Sequence, residues 1–257
     1  MDEERANPRN FYYYAECLQT LGQIEDAKKW YAIYFDHTKD EKGSMMIAAL
    51  DRLDEIEPLF KEELEVLPFA HNSPNDEFAP VMYDGGIVFT TDRHVGKMPL
   101  KIKSKWTGRE YLKIANAEQL GLIEYREPVP FSGKINKIDR NTSNTTFSGD
   151  GSTIIYCQND WEANVKYFYP LQLYVRHLKK ENGAWGPAEK LPFISSKHNY
   201  MHPWLSNNGR TLFFVSDKGN GIGGSDIYMS QRINDTEWSR PKNLGPNINT
   251  PGHEGFP

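Results

Sequence analysis

Apolar positions follow two different periods along this chain. From Pro8 to Leu21 they recur at helical spacing, with Phe11, Tyr14, Ala15, Leu18 and Leu21 three or four residues apart, which predicts a helix with one apolar face. Asn7 supplies an N-cap, Pro8 a first helical position, and Gly22 a stop. A second helix begins at Glu25-Asp26 and carries Ala27, Trp30, Tyr31 and Tyr34. A third is predicted from Met45 to Leu59, with Met46, Ala49, Leu50, Leu53 and Ile56 on one side and Pro58 ending or kinking it. The period then shortens. Glu62 to Pro68 alternates and reads as a strand, and His71 to Asp76 is a turn-rich junction. The apolar runs beyond it are four or five residues long and bounded by Gly, Asn, Asp or Pro, as short strands joined by tight turns should be.

These runs repeat. Trp185 and Trp238 stand 53 residues apart, as do Leu191 and Leu244, while Tyr174 to Tyr228 and Pro203 to Pro257 span 54. The stretch Ser148-Gly149-Asp150-Gly151-Ser152-Thr153-Ile154-Ile155-Tyr156 matches Ser206 to Phe214 at an offset of 58. A weaker copy opens at Phe78-Ala79-Pro80. A multi-strand repeat of roughly 40–50 residues marks a β-propeller blade. The expected fold class is therefore α+β and multidomain: a short α-helical segment over residues 1–60, a linker and strand over 61–77, and a partial β-propeller of about three antiparallel blades over 78–257. The blades run from Phe78 to about Pro128, from about 138 to 195, and from 202 to 250, with strands at Ile87–Thr90 and Tyr111–Ile114 in the first. Glu254-Gly255-Phe256-Pro257 opens a fourth. Because a propeller ring needs about four to eight blades to cover its sheet edges, the sequence reads as a fragment of a longer protein.

Composition narrows the function. Hydrophobic residues make up 38% of the 257, aromatic residues 13% and charged residues 25%, which describes an ordered globular chain. The formal charge of −5, with no basic stripe, argues against nucleic-acid binding. No apolar run approaches the ~18 residues of a membrane span. The N-terminus is charged and lacks the apolar centre of a signal peptide. Cys17 and Cys157 are expected to be two buried thiols in different domains.

The helical pair, with Leu21-Gly22, Ala27 and Tyr31 in place and Phe11 where Trp is usual, resembles a tetratricopeptide (TPR) repeat. Such repeats need about three units to build a core, so the pair is expected to cap a longer solenoid. A junction of the form Asn72-Ser73-x-x-Asp76-x-Phe78-x-Pro80 follows it. Then come Trp185-Gly186, Glu189-x-Leu191-Pro192-Phe193, His202-Pro203-x-Leu205-Ser206, Ser216-Asp217, Gly223 to Tyr228, and Asn243-Leu244-Gly245-Pro246. This set is similar to the periplasmic TPR–PD40 (WD40-like) propeller proteins of Bacteroidetes, of the OmpA-family and type IX secretion PorE-like group. The chain departs from that pattern around Asp139 to Thr146. The resemblance implies a non-enzymatic scaffold at the periplasmic or outer-membrane face, with protein partners of the cell envelope. It also implies peptidoglycan contact through a C-terminal domain outside this sequence. Two alternatives stay open: the propeller of a hydrolase such as a peptidase, and a carbohydrate-binding propeller.

Candidate chemistry is sparse. Gly219 to Gly224 is followed by a strand, not by the helix a phosphate loop requires, so a hairpin connection is the simpler reading. Ser148 to Thr153 reads as an Asp-Gly turn, since the spacing differs from the sialidase Asp-box. Asp217, Asn220 and Asp226 could offer oxygens to a hard cation but lack the required density, so no metal and no cofactor is expected. His71, His94, His198, His202 and His253 show no zinc or helical spacing, and no nucleophile elbow occurs, so no catalytic residue is assigned. Trp185 and Trp238 repeat with the fold and are expected to pack. The binding candidates are Trp161, Tyr167, Phe168 and Tyr169, in a loop of the second blade without counterpart in the third.

Overall fold

The computed structural model describes residues 7–56, 66–96, 102–105, 107–161, 169–234 and 237–257, in two compact units, Met1–Leu67 and Pro68–Pro257. In the first unit α1 (Pro8–Thr20) and α2 (Ile24–Thr38) form a helical hairpin, followed by α3 (Lys42–Asp51) and the single turn α4 (Leu53–Ile56). The Asn7 side chain caps α1 by accepting from the Arg9 amide at 3.1 Å. Ala15 and Ala27 are fully buried among Leu18, Tyr31 and Leu50, so small residues do sit where the helices approach. The Tyr34 hydroxyl donates to Asp40 at 2.6 Å, and Asp40 in turn accepts from the Lys42 amide at the start of α3. Lys28 bridges to Asp51 at 2.8 Å. The third predicted helix differs: it starts earlier, at Lys42, and breaks at Arg52, while Pro58 lies outside the described residues. Of the strand predicted over Glu62–Pro68, positions 62–65 are outside the described residues and Val66 to Pro68 has no regular structure. Cys17 is exposed, contrary to expectation; Cys157 is buried, and both thiols are free.

The second unit contains three antiparallel sheets, each a meander in chain order. The first blade comprises β1 (Glu77–Tyr83), β2 (Gly86–Thr91), β3 (Lys113–Glu118) and β4 (Val129–Pro130). The second comprises β5 (Thr142–Phe147), β6 (Thr153–Asn159), β7 (Leu171–Lys179) and a split outer strand, β8 (Ala184–Trp185) and β9 (Glu189–Lys190). The third comprises β10 (Tyr200–Leu205), β11 (Thr211–Ser216), β12 (Asp226–Gln231) and β13 (Lys242–Asn243). The fold class is α+β: helices followed by propeller-like blades. In the first blade Tyr111 and Leu112 precede the third strand, which begins only at Lys113.

Two layers of apolar side chains fill the spaces between blades. Val88 and Ile114 of the first blade meet Phe147, Ile154, Tyr156 and Trp185 of the second. Ile155, Cys157 and Leu173 of the second meet Tyr200, Leu205, Leu212, Phe214 and Tyr228 of the third. Trp185 and Trp238 both pack against these layers, as their repetition predicts. Burial on both faces of a sheet suits strands with few alternating polar residues. β5 is the exception, since Thr-Ser-Asn-Thr-Thr-Phe is buried at every position.

The reason lies in the first strand of each blade. β1, β5 and β10 each carry a β-bulge, between Phe78 and Val81, Ser143 and Thr145, and Met201 and Trp204. At each bulge one non-glycine residue is left-handed: Ala79 (φ 51°), Asn144 (φ 36°) and His202 (φ 48°), with Phe256 (φ 51°) repeating the feature at the chain's last turn. A large buried aromatic, Phe89, Tyr156 or Phe214, lies opposite each bulge. The displaced amides are satisfied by the preceding blade. Asn144 N–H donates to Thr90 Oγ1 at 2.9 Å, and His202 N–H donates to the sulfur of Cys157, which occupies the same register position. Leu205 N–H donates to Thr146 Oγ1 at 3.0 Å. β5 thus replaces apolar burial with bonds to both neighbours, through the Asn144 amide to the first blade and the Thr146 hydroxyl to the third.

Replacing Thr146 by Val keeps shape and strand propensity but leaves the Leu205 amide buried without an acceptor. The expected cost is about 1–3 kcal/mol, read as a lower urea midpoint at unchanged m-value; an unchanged midpoint would show that this bond does not hold the blades.

Candidate functional site

The first strands of the three blades, with Phe256 and Pro257, line a concave groove of about 880 Å³. Its walls are Ala79 to Asp84, Asn144 to Gly151 and His202 to Leu205, with Asn207 and Leu178. The turns that follow these strands close one end. Asp84 (φ 48°) and Gly85 (φ 70°) form a two-residue hairpin turn, the primed type that positive φ at both positions permits. In the second blade Asp150 accepts from Ser148 Oγ at 2.6 Å, Ser152 N at 3.0 Å and Ser152 Oγ at 2.9 Å. Ser148 Oγ in turn accepts from Thr153 N. The third blade repeats this turn with Asn208 in place of Asp150 and Ser206 in place of Ser148. Gly149 donates to the Asn207 carbonyl at 2.9 Å, and a Cβ there would stand 2.7 Å from that oxygen, so the contact requires glycine. The expected Asp-Gly turn is structural.

The groove's charge is one-sided. Asp84 and Asp150 are its acidic side chains, and no Lys or Arg is among the described residues that line it. Hydrogen bonds hold the Asp150 carboxyl down, at about 2. His202 is pushed below the usual imidazole range by burial and so is neutral at pH 7. Its ring stacks on Phe256 at 4.1 Å, and its Nδ1 accepts from the Phe256 amide at 3.4 Å. Met82, Trp204 and Phe256 leave about half or more of their surface exposed, at 60%, 46% and 62%. The side-chain nitrogen of Asn144 is buried against the groove without a hydrogen-bond partner among the described residues, a state that costs about 1–3 kcal/mol.

Trp161 and Tyr169 stand apart from this groove, at the base of the loop joining β6 and β7. Their rings stack at 4.8 Å, and Arg140 lies over Trp161. Tyr167 and Phe168 are outside the described residues. Asp217 accepts both the Asn199 amide and its side-chain nitrogen, while Asp226 accepts from Ile222, Gly223 and Asn243. These carboxylates cap loops, and no cluster of three or more metal-ligating side chains occurs among the described residues. His253 contacts the Ser225 hydroxyl at 3.3 Å, so it too joins neighbouring segments. In the first blade Lys113 is buried with its ammonium on the Tyr111 carbonyl at 2.8 Å. Glu110 and His94 complete that cluster. Sequence reasoning noticed His202 and the aromatic–proline repeats but not the groove they line; the signal was the recurrence of a residue-proline pair at Ala79-Pro80, His202-Pro203 and Phe256-Pro257.

No protein-family model and no curated protein matches the chain. Among solved structures, TolB from Acinetobacter baumannii is 16% identical, covering 65% of this chain and 32% of that one at a TM-score of 0.37. A puromycin-hydrolyzing peptidase of Mycobacterium tuberculosis is 13% identical, covering 67% and 24% at 0.38. An α-L-arabinanase of Penicillium chrysogenum is 15% identical, covering 70% and 46% at 0.39. The chain spans less than half the length of each. These are distant likenesses, and no role passes from them to this chain.

Two titrations are expected. The depressed Asp150 pKa contributes stability that is complete above the ordinary carboxylate range near pH 4 and lost as pH falls towards 2. Asp150→Asn, which copies the turn of the third blade, should keep near-parental stability and flatten that acid limb; Asp150→Ala should melt lower at every pH. Because folded His202 is harder to protonate than unfolded His, its contribution is complete above about pH 6.5 and is lost as pH falls from there towards the lower folded pKa. Protection of the Phe256 amide against hydrogen exchange, corrected for intrinsic rate, should therefore drop between pH 7.5 and 5. In His202→Asn, which keeps the left-handed backbone, it should become independent of pH.

Proposed function

We propose that this chain is a non-enzymatic protein-interaction scaffold of the bacterial cell envelope, with the propeller groove as its principal docking surface. The observation that carries this reading is the way the groove's polar side chains are employed. Asp150 is held by two serines, His202 by its stack on Phe256 and that residue's amide, and the threonines by strand backbones. Groups fixed in this manner shape a surface and are poorly placed to relay protons. The exposed Met82, Trp204 and Phe256 supply the apolar anchors of a typical interface core.

The finer reading follows the resemblance of the sequence. In it the helical hairpin belongs to a TPR array and the blades to a PD40-type propeller. The protein works on the periplasmic side of the outer membrane, near peptidoglycan or within a type IX secretion assembly. Among the described residues no helix is long and apolar enough to cross a membrane.

Site-specific photocrosslinking in native cells tests the central point. A photoreactive residue replacing Trp204 should give a discrete protein adduct, whereas one replacing Lys180, in an exposed turn of the second blade, should not. Crosslinking to glycan alone, or no adduct from position 204, would overturn the scaffold reading.

A further inference from the structure

Backbone donors are withdrawn from the groove. Pro80 and Pro203 each follow a left-handed residue on the first strand of their blade, and Pro257 follows left-handed Phe256 in the chain's last turn; proline has no amide hydrogen. The left-handed residues of the second and third blades turn their own amides to the preceding blade, where Thr90 and Cys157 accept them. The Leu205 amide is likewise taken by Thr146. To these acceptors the groove adds two carboxylates at one end. The Tyr83 hydroxyl donates to the Gly151 carbonyl at 3.5 Å, so the turns carrying Asp84 and Asp150 are neighbours. Asp150 is ionised at any physiological pH, and Asp84 is exposed with no hydrogen bond to its carboxylate among the described residues. No lining Lys or Arg offsets them, and the burial that keeps His202 neutral prevents it from doing so.

A negatively charged end and exposed apolar side chains complement a particular ligand. It carries a cationic group and apolar surface within one extended segment. A neutral oligosaccharide offers hydroxyls but no cation, and an anionic one would be repelled. We infer that the groove binds an extended peptide segment of a partner protein, with a Lys or Arg side chain at the Asp84–Asp150 end. Apolar side chains of that segment rest on Met82 and Trp204. Charge complementarity selects the partner and shape retains it. This deepens the scaffold reading and rests on it.

The test is selection of the full-length chain against a displayed library of random nine-residue peptides. Selected peptides should be enriched in Lys or Arg beside apolar residues and should bind more weakly as salt rises. Asp84→Asn and Asp150→Asn preserve their turns, because Asn tolerates a left-handed backbone and Asn208 already serves in the third blade. Each should weaken a selected basic peptide by about fivefold. Selection without basic enrichment, enrichment in acidic peptides, affinity unaffected by both variants, or no selection at all would each overturn the inference. Competition by a neutral oligosaccharide for the same two residues would overturn it in favour of sugar. A protein adduct from position 204 alongside any of these leaves the scaffold reading standing; loss of the adduct as well removes both.

Discussion

The structure depends on one constraint: each blade's first strand holds a non-glycine residue in the left-handed region. Such a residue costs about 1–2 kcal/mol relative to an ordinary strand conformation, so something in the surroundings must hold it there. At Asn144 and His202 the preceding blade does so, through Thr90 and Cys157 at matching register positions. The extra residue of the bulge turns the strand's amides out of its own ladder and across to its neighbour. Blade packing and blade bonding therefore converge on one position. The groove follows as a by-product, because the same turn of the backbone lines up the three first strands, with Pro80, Pro203 and several bulky side chains facing one space.

A second repeated device works at the opposite end of the same strands. Asp76, Asn141 and Asn199 precede the first strand of their blades, and each amide donates to the side chain that ends the second strand: Asp92, Asn159 or Asp217. Asn141 and Asn199 then accept from Leu112 and Leu171, which lead into or begin the third strands of the first two blades. Asn136 and Asn249 pair in two-pronged fashion with the backbones of Ile114 and Ile227. Buried backbone groups outside the ladders need partners, and here short polar side chains provide them. That is why a chain rich in loop Asp and Asn can resemble a cation binder without arranging a metal site.

Local features were legible in the sequence and distant ones were not. The helix start at Asn7-Pro8, the Asp-Gly turns and the period of the blades are written within a few residues or in plain repetition, and each has its expected form. The third helix departs from its apolar pattern because its break at Arg52 has no Gly or Pro to mark it. Thr142 to Thr146 read as a departure from the pattern, since its partners Thr90 and Leu205 lie more than 50 residues away. The emphasis on Trp161, Tyr167, Phe168 and Tyr169 came from an unmatched loop. Two of these residues stack on each other at its base, while the groove was assembled from repeated positions that looked purely structural.

Those repeated positions divide into two kinds. Some hold the same role in every blade: the aromatic opposite the bulge, and the amide-capping pair. Others share a backbone geometry but differ in chemistry, as Ala79, Asn144 and His202 do at the left-handed site, or Val81, Thr146 and Trp204 two residues on. The frame fixes where these side chains stand, and the differences among them give the groove its polarity. A ring of identical blades would present a symmetric channel with no preferred ligand orientation. Here the carboxylates gather at the neighbouring hairpin turns of the first two blades and the exposed indole stands on the third, so a bound segment would meet charge at one end and aromatic surface at one side. Specificity can thus change by substitution at positions where the backbone is already held from the preceding blade, at little cost to the fold.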